Sequence, residues 1–373
     1  MLKVEATLEK EGSALAPQLS PGVTEELDIC DDRGKPRLKI ARKKILERIK
    51  YYNNSMFIDV VRHAYLQWVN FDEFLLFEHE RTGERIFVKC SKRGNDVYRF
   101  RTKKRLNEIV KYLDALGLVY FDFSKRPFHV KSPLVFCTLT YSPDFIAKDW
   151  VNVGVEFNKF MSRLKKRYPG IKVLARSFQA QSNGSVHIHA VLYVDLLNYK
   201  NFFHGFRCKN RYGEITYRLD NSVRDFFASC WKHGFSDFQL CDSTSGSIRY
   251  LMKYIIKSEI FNSVDETLTY SLNWLFRKRS FSFSKDVTSN LARAKLEMIK
   301  LIASANNIIL STELAMLLSQ KLGLFEIRLD SIMHFSNSDL GCWILLGVFD
   351  IHEVGLVGSD WVFKPPPSFV FCR

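Results

Sequence analysis

Two short runs place chemically active residue types at spacings that bring them together. The first is His187-Ile188-His189. On a β-strand, residues i and i+2 point to the same side, so both imidazoles project from one face while Ile188 packs on the other. Two imidazoles with a third donor nearby bind a divalent cation. Two polar residues on a solvated strand face are the plainer meaning of the same pattern. The second run is Tyr250-Leu251-Met252-Lys253-Tyr254-Ile255-Ile256-Lys257. On a helix Tyr250 and Tyr254 share a face, and Lys253 and Lys257 form a second pair offset by one residue. A tyrosine oxygen is a covalent nucleophile once activated, and a neighbouring ammonium or metal favours the phenolate. The plainer meaning here is two aromatics anchoring an amphipathic helix. Taken together, the runs suit attack on a phosphodiester. A cation polarises the scissile phosphate, and the tyrosine displaces a 3′ oxygen.

The elements that must position these residues are legible between Leu134 and Ser258. Leu134 to Tyr141 alternates as a strand and is closed by Ser142-Pro143. Trp150, Val153, Phe157, Phe160, Leu164 and Tyr168 recur at helical spacing, ended by Pro169-Gly170. Ile171–Ala180 and Val186–Val194 are β-rich and joined around Asn183-Gly184, a strong hairpin signal. A helix fits Ser222 to Lys232, with Ser222 as N-cap and Gly234 beyond its end. Phe235 to Cys241 is a further strand, and Ser247 to Ser258 a final helix. The order βαββαβα predicts an α+β fold, with two helices on one face of an antiparallel sheet and the other face free for a site. Phe238 and Trp231 are assigned to the core rather than to base stacking.

In this order the runs resemble the HUH endonuclease superfamily, the rolling-circle replication initiators of plasmids, archaeal and bacterial viruses and small single-stranded DNA viruses. Phe136-Cys137-Thr138-Leu139-Thr140 resembles the first motif, an apolar strand framing the DNA site. His187-Ile188-His189 resembles the metal-binding second motif. Tyr250 to Lys257 resembles the third, in the paired form of isometric single-stranded DNA phages. The resemblance covers about residues 132–260 and implies a ferredoxin- or RRM-like nuclease core. It implies Mg²⁺ or Mn²⁺ on His187 and His189, and an origin strand nicked to a 5′-phosphotyrosine and a free 3′-OH. Tyr250 is the favoured first nucleophile, with Tyr254 serving strand transfer at termination and Lys253 stabilising the phenolate or the phosphate. Thr138, Thr140, Arg249 and Lys257 are the implied DNA contacts. The family often supplies a third ligand, a Glu eight residues before the first His. That position is Gln179 here, a neutral carbonyl donor. Gln181 points the same way on a strand, so either can approach the ion.

Composition agrees with a polyanionic partner. Lys and Arg number 55 against 40 acidic residues, a formal charge of +15. That excess suits single-stranded or origin DNA. The eight Cys form no CxxC pair and no disulfide scaffold, so a reducing interior of a host cell is expected. No signal peptide precedes residue 20, and Trp343–Phe349 is too short to span a bilayer. The absence of a GxxxxGK[ST] run means that unwinding would fall to a host helicase, with a host polymerase following.

Four regions are expected. Residues 1–32 form an acidic leader, 33–130 a basic accessory or DNA-binding region, 131–277 the endonuclease domain, and 278–373 a C-terminal helical region. From Arg33 to Lys50, nine Lys or Arg face a single acid, Glu47. Within 73–130, Arg85–Lys89 and Val97–Arg101 are read as strands flanking a turn at Arg93–Asp96, followed by a helix striped by Leu106, Ile109, Val110 and Leu113. Other functional readings are a transposase or relaxase of the same superfamily, a non-catalytic DNA-binding regulator, and an RNA-binding module carrying exposed sheet aromatics.

Overall fold

A computed structural model of the chain describes residues 38–115, 129–142, 146–194, 202–209, 213, 215–241, 246, 264–337 and 343–350. Its strands are β1 (Glu73–His79), β2 (Arg85–Lys89), β3 (His129–Ser132), β4 (Leu134–Thr140), β5 (Lys172–Ala180), β6 (Val186–Tyr193), β7 (Phe203–Lys209), β8 (Ile215–Leu219), β9 (Ser236–Leu240), β10 (Phe281–Phe283) and β11 (Trp343–Asp350). Its helices are α1 (Leu38–Arg48), α2 (Asn54–Asn70), α3 (Asp96–Ala115), α4 (Ile146–Arg167), α5 (Asn221–Cys230), α6 (Val264–Leu275), α7 (Lys285–Ala305), α8 (Thr312–Lys321) and α9 (Leu329–Asn337).

The mixed α+β class is as expected, and the sheet is larger than the sequence reading foresaw. Eight antiparallel strands run in the order β10-β5-β6-β4-β9-β8-β7-β3. The expected βαββαβ elements occupy its middle as β5-β6-β4-β9. The β7–β8 hairpin is inserted between β6 and α5, while β3 and β10 extend the edges. A separate sheet, β11-β1-β2, joins the 73–89 hairpin to a strand some 260 residues later.

One face of the large sheet carries the main core. Val135, Cys137 and Leu139 of β4, Ile188 and Ala190 of β6 and Phe238 of β9 pack against Trp150, Phe157 and Phe160 of α4 and Phe227 of α5. The alternation of these strands and the three-to-four spacing of α4 put the apolar residues on meeting faces. Helices α1, α2 and α6 join the same cluster. There Trp68 stacks on Trp274 at 5.9 Å between ring centroids, and Tyr65 meets Trp274 edge-on.

Three expectations require correction. The helices do not keep to one face. Leu106, Ile109, Val110 and Leu113 of α3 and Val287 and Leu291 of α7 bury Leu134, Leu174, Ala175 and Val191 on the opposite face, and a Lys295–Glu108 ion pair ties the two helices. Only one end of that second face, the end bearing the histidines, escapes this cover. Val97–Arg101 is helix rather than strand, because Asn95 stops the chain and caps α3, its Oδ1 accepting the Tyr98 amide at 2.9 Å. Helix α5 starts at Asn221, with Asp220 at its N-cap, not Ser222.

Candidate functional site

The polar end of the second face is built by strand register. Thr140 of β4 stands opposite His187 of β6, which stands opposite Gln179 of β5. One row along, Thr138 is opposite His189, and His189 opposite Ser177. Residues paired across antiparallel strands project to the same side, so Thr138, Thr140, His187, His189 and Gln179 share one surface. The β5–β6 turn fixes this register. Gly184 takes φ +81°, the Gln181 amide donates to Ser185 O at 2.9 Å, and Trp150 Nε1 holds Gly184 O at 2.9 Å. An Asn-Gly pair suits such a turn because glycine enters positive φ without strain.

The two imidazoles lie 4.4 Å apart between centroids, inclined at 75°. Each Nδ1 meets a threonine hydroxyl: His187 with Thr140 Oγ1 at 2.9 Å, and His189 with Thr138 Oγ1 at 3.2 Å. Gln181 Nε2 also lies 3.0 Å from His187 Nδ1. An imidazole that offers Nε2 to a cation carries its proton on Nδ1 and donates it to the threonine oxygen, and in that tautomer Gln181 turns its amide oxygen toward the ring. Phe136 walls the apolar side, its ring 5.5 Å from that of His189.

Burial drives the His189 pKa down to about 3, with the neighbouring His187 charge adding to the effect, and burial also lowers His187. Both rings are therefore neutral near physiological pH, the form that ligates metal. The unfolded chain takes up protons near pH 6.5 that the folded chain refuses. In EDTA, stability is thus full above that pH and falls as the solution is acidified toward 3. At about pH 5 the His189 contribution alone is about 2 kcal/mol. Urea midpoints at about pH 7.5 and 5 should differ accordingly in wild type and much less in His189→Gln. An equal drop in both would show that the histidine is not the source.

Gln179 is buried and faces His187 from β5, with Nε2 reaching Ser177 Oγ at 3.5 Å. Among the described residues no three His, Cys, Asp or Glu side chains are grouped to hold a metal. A cation here would rest on His187 and His189, with an amide oxygen of Gln179 or Gln181 as third donor. Two neutral imidazoles with their distal nitrogens anchored fit a divalent transition metal or Mn²⁺ better than a hard-oxygen site does. Tyr250, Lys253, Tyr254, Lys257 and Arg249 lie outside the described residues, as does the expected helix Ser247–Ser258.

Two residues of this surface were not singled out from the sequence. Asp237 of β9 pairs with Thr138 and accepts from Gln239 Nε2 at 2.7 Å, so it is a carboxylate on the histidine side. Two strand spacings, about 10 Å, separate its backbone from that of His189. Phe235 precedes β9 and accepts the Thr140 amide at 2.8 Å. Two residues before Asp237, it falls on the same side, and its side chain is 68% exposed. An exposed aromatic beside a polar row is a stacking platform for a nucleobase. Strand alternation after His233-Gly234 was the signal that could have found both. Phe238 and Trp231 are buried in the core, as expected.

No helix among the described residues is long and apolar enough to cross a membrane. No curated protein and no solved structure matches the chain. Residues 134–259, the segment holding β4 to β9 and the histidine row, match the profile of a family described as replication-associated protein ORF2.

Proposed function

We propose that the chain is a replication initiator that nicks one DNA strand at an origin. The observation that carries this reading is the His187–His189 pair. Its distal nitrogens are held by threonines of the neighbouring strand, inside the segment that matches a replication-associated family. A cation held by His187, His189 and a glutamine amide would supply Lewis acidity toward a scissile phosphate. Thr138 and Thr140 orient the two rings. Phe235 stacks on a base beside the row, and Phe136 closes its apolar end. The Tyr250 oxygen bonds to phosphorus as the P–O3′ bond breaks. The 5′ end is left on the tyrosine and the 3′ oxygen departs as a hydroxyl, with Lys253 holding the phenolate or the phosphate. The net charge of +15 gives a sequence-independent hold on the strand. Helicase and polymerase functions are supplied by the host.

The test is a cleavage assay on single-stranded origin DNA labelled at both ends, with Mn²⁺ or EDTA. A metal-dependent nick with a covalent 5′ adduct, lost in Tyr250→Phe and kept at the first step in Tyr254→Phe, is expected. Tyr250→Phe activity matching wild type, with Tyr254→Phe dead, would reassign the nucleophile.

A second reading is a non-catalytic DNA-binding protein on this fold. It is favoured by the neutral Gln179 and by the lack of a third anionic or imidazole donor among the described residues. It predicts binding without metal and without an adduct on any fragment. Both readings expect Phe235→Ala to weaken single-stranded DNA binding by about 1–3 kcal/mol without loss of fold, measured by fluorescence anisotropy. Unchanged affinity would remove Phe235 from the contact surface.

A further inference from the structure

A groove of about 470 Å³ runs between α1 and the residues that follow α6, and its charged lining is lopsided. Lys39, Arg42 and Lys43 come from α1 and Arg277 from the turn after α6. Glu47 is the one carboxylate in the lining, and it sits 3.8 Å from Lys43. Arg42 is half-buried with its guanidinium over the Trp274 ring at 4.9 Å, and its Nε is buried with no hydrogen-bond partner. Behind it, Arg93 is anchored through its backbone carbonyl, which accepts the Tyr65 hydroxyl at 2.8 Å, and its Nη1 is likewise buried without a partner. The charges acting most strongly on Arg42 are Arg277 and Arg93, which together with burial hold its pKa down to about 10.

Buried donors without acceptors are costly, and gathered like charges repel. An arrangement of this kind is complete only with an anion between the guanidiniums. The fork of a guanidinium matches phosphate oxygens in pairs, a geometry that lysine cannot copy. Position narrows the source of that phosphate. Ser280 O accepts the Phe178 amide at 3.2 Å, beside Gln179 on β5. Arg277 is three residues from Ser280, at most about 11 Å of chain. A strand lying along the histidine row therefore reaches the groove past the β5 edge.

We propose that Arg42, Arg277 and Arg93 form a backbone-phosphate seat for single-stranded DNA next to the histidine row. This rests on the nickase reading for its place in the reaction, and its binding role can be measured without cleavage. The experiment titrates full-length protein with labelled oligothymidylate over a series of salt concentrations, comparing wild type with Arg42→Gln/Arg277→Gln and with the charge-keeping Arg42→Lys/Arg277→Lys.

The glutamine pair should bind about tenfold more weakly at low salt. Its slope of log K against log salt should be shallower by about 1.4, at about 0.7 per lost phosphate contact. The lysine pair should keep most of the slope. In parallel, sulfate at constant ionic strength should raise the wild-type melting temperature and leave that of the glutamine pair unmoved. If the glutamine pair does not fold, Arg93→Gln carries the same sulfate comparison. Wild-type affinity and slope in the glutamine pair, or an undiminished sulfate effect, overturns the seat. A shallower slope in the glutamine pair beside a wild type that never nicks would sink the nickase reading alone, and normal nicking with an unchanged slope would sink the seat alone.

Discussion

Replacing His187 and His189 together by alanine is expected to lower metal-dependent cleavage of single-stranded DNA by about 10²- to 10³-fold, with DNA binding in EDTA unchanged. The two rings stand 4.4 Å apart on one strand, and each proximal nitrogen is engaged by a threonine. No described carboxylate is grouped with them to take over a cation. Thr140→Val, which removes the oxygen at 2.9 Å from His187 Nδ1, should cost about tenfold through tautomer and ring orientation alone. Gln179→Glu should act in the opposite direction on binding. It places a charged oxygen across from His187 and should tighten Mn²⁺ affinity by about tenfold, read by isothermal titration calorimetry. Cleavage by the double alanine variant at the wild-type rate would remove the histidines from the chemistry.

The second large effect is on stability, at a residue with no functional group. Gly234 adopts φ +140°, and a Cβ there would lie 2.5 Å from Ser142 N and 2.6 Å from Thr140 O. Both are backbone atoms that cannot rotate away. The same passage holds the Ser142 amide to His233 O at 2.6 Å and the Thr140 amide to Phe235 O at 2.8 Å. Gly234→Ala is expected to destabilise the fold by about 3 kcal/mol. It should also loosen the end of β4 that presents Thr140 to His187. Equilibrium denaturation checks the first part. A Gly234→Ala variant within about 0.5 kcal/mol of wild type would show that the backbone relaxes freely there.

The middle of the large sheet was legible because its signals are local and strong. Asn183-Gly184 marked a hairpin, period-two alternation marked β4 and β6, and a long three-to-four stripe marked α4. The histidine row followed from register once those strands were named. What escaped depends on contacts distant in sequence. Strands β3 and β10 are three or four residues long and are strands only because β7 and β5 offer free edges. The cover of the second face by α3 and α7 joins residues near 110 to residues near 290, which no local pattern links. Val97, Tyr98 and Phe100 are β-prone by type, and a single cap at Asn95 outweighs that preference. Phe235 and Asp237 were missed because the reading treated Phe235–Cys241 as one strand without assigning its two sides.

The pairing of β1 with β11 bears on how this protein is made. Glu73 is opposite Asp350 and His79 opposite Trp343, so the β1 edge is satisfied only by a strand made some 260 residues later. At ribosomal speeds of about 5–20 residues per second, the β1–β2 hairpin waits on the order of ten seconds or more for its third strand. Until then an apolar ribbon carrying Phe74, Leu76 and Phe77 offers unpaired amides and carbonyls. Nascent chains stalled before Trp343 should be the species that chaperones hold and that self-associate, even with the histidine row already assembled.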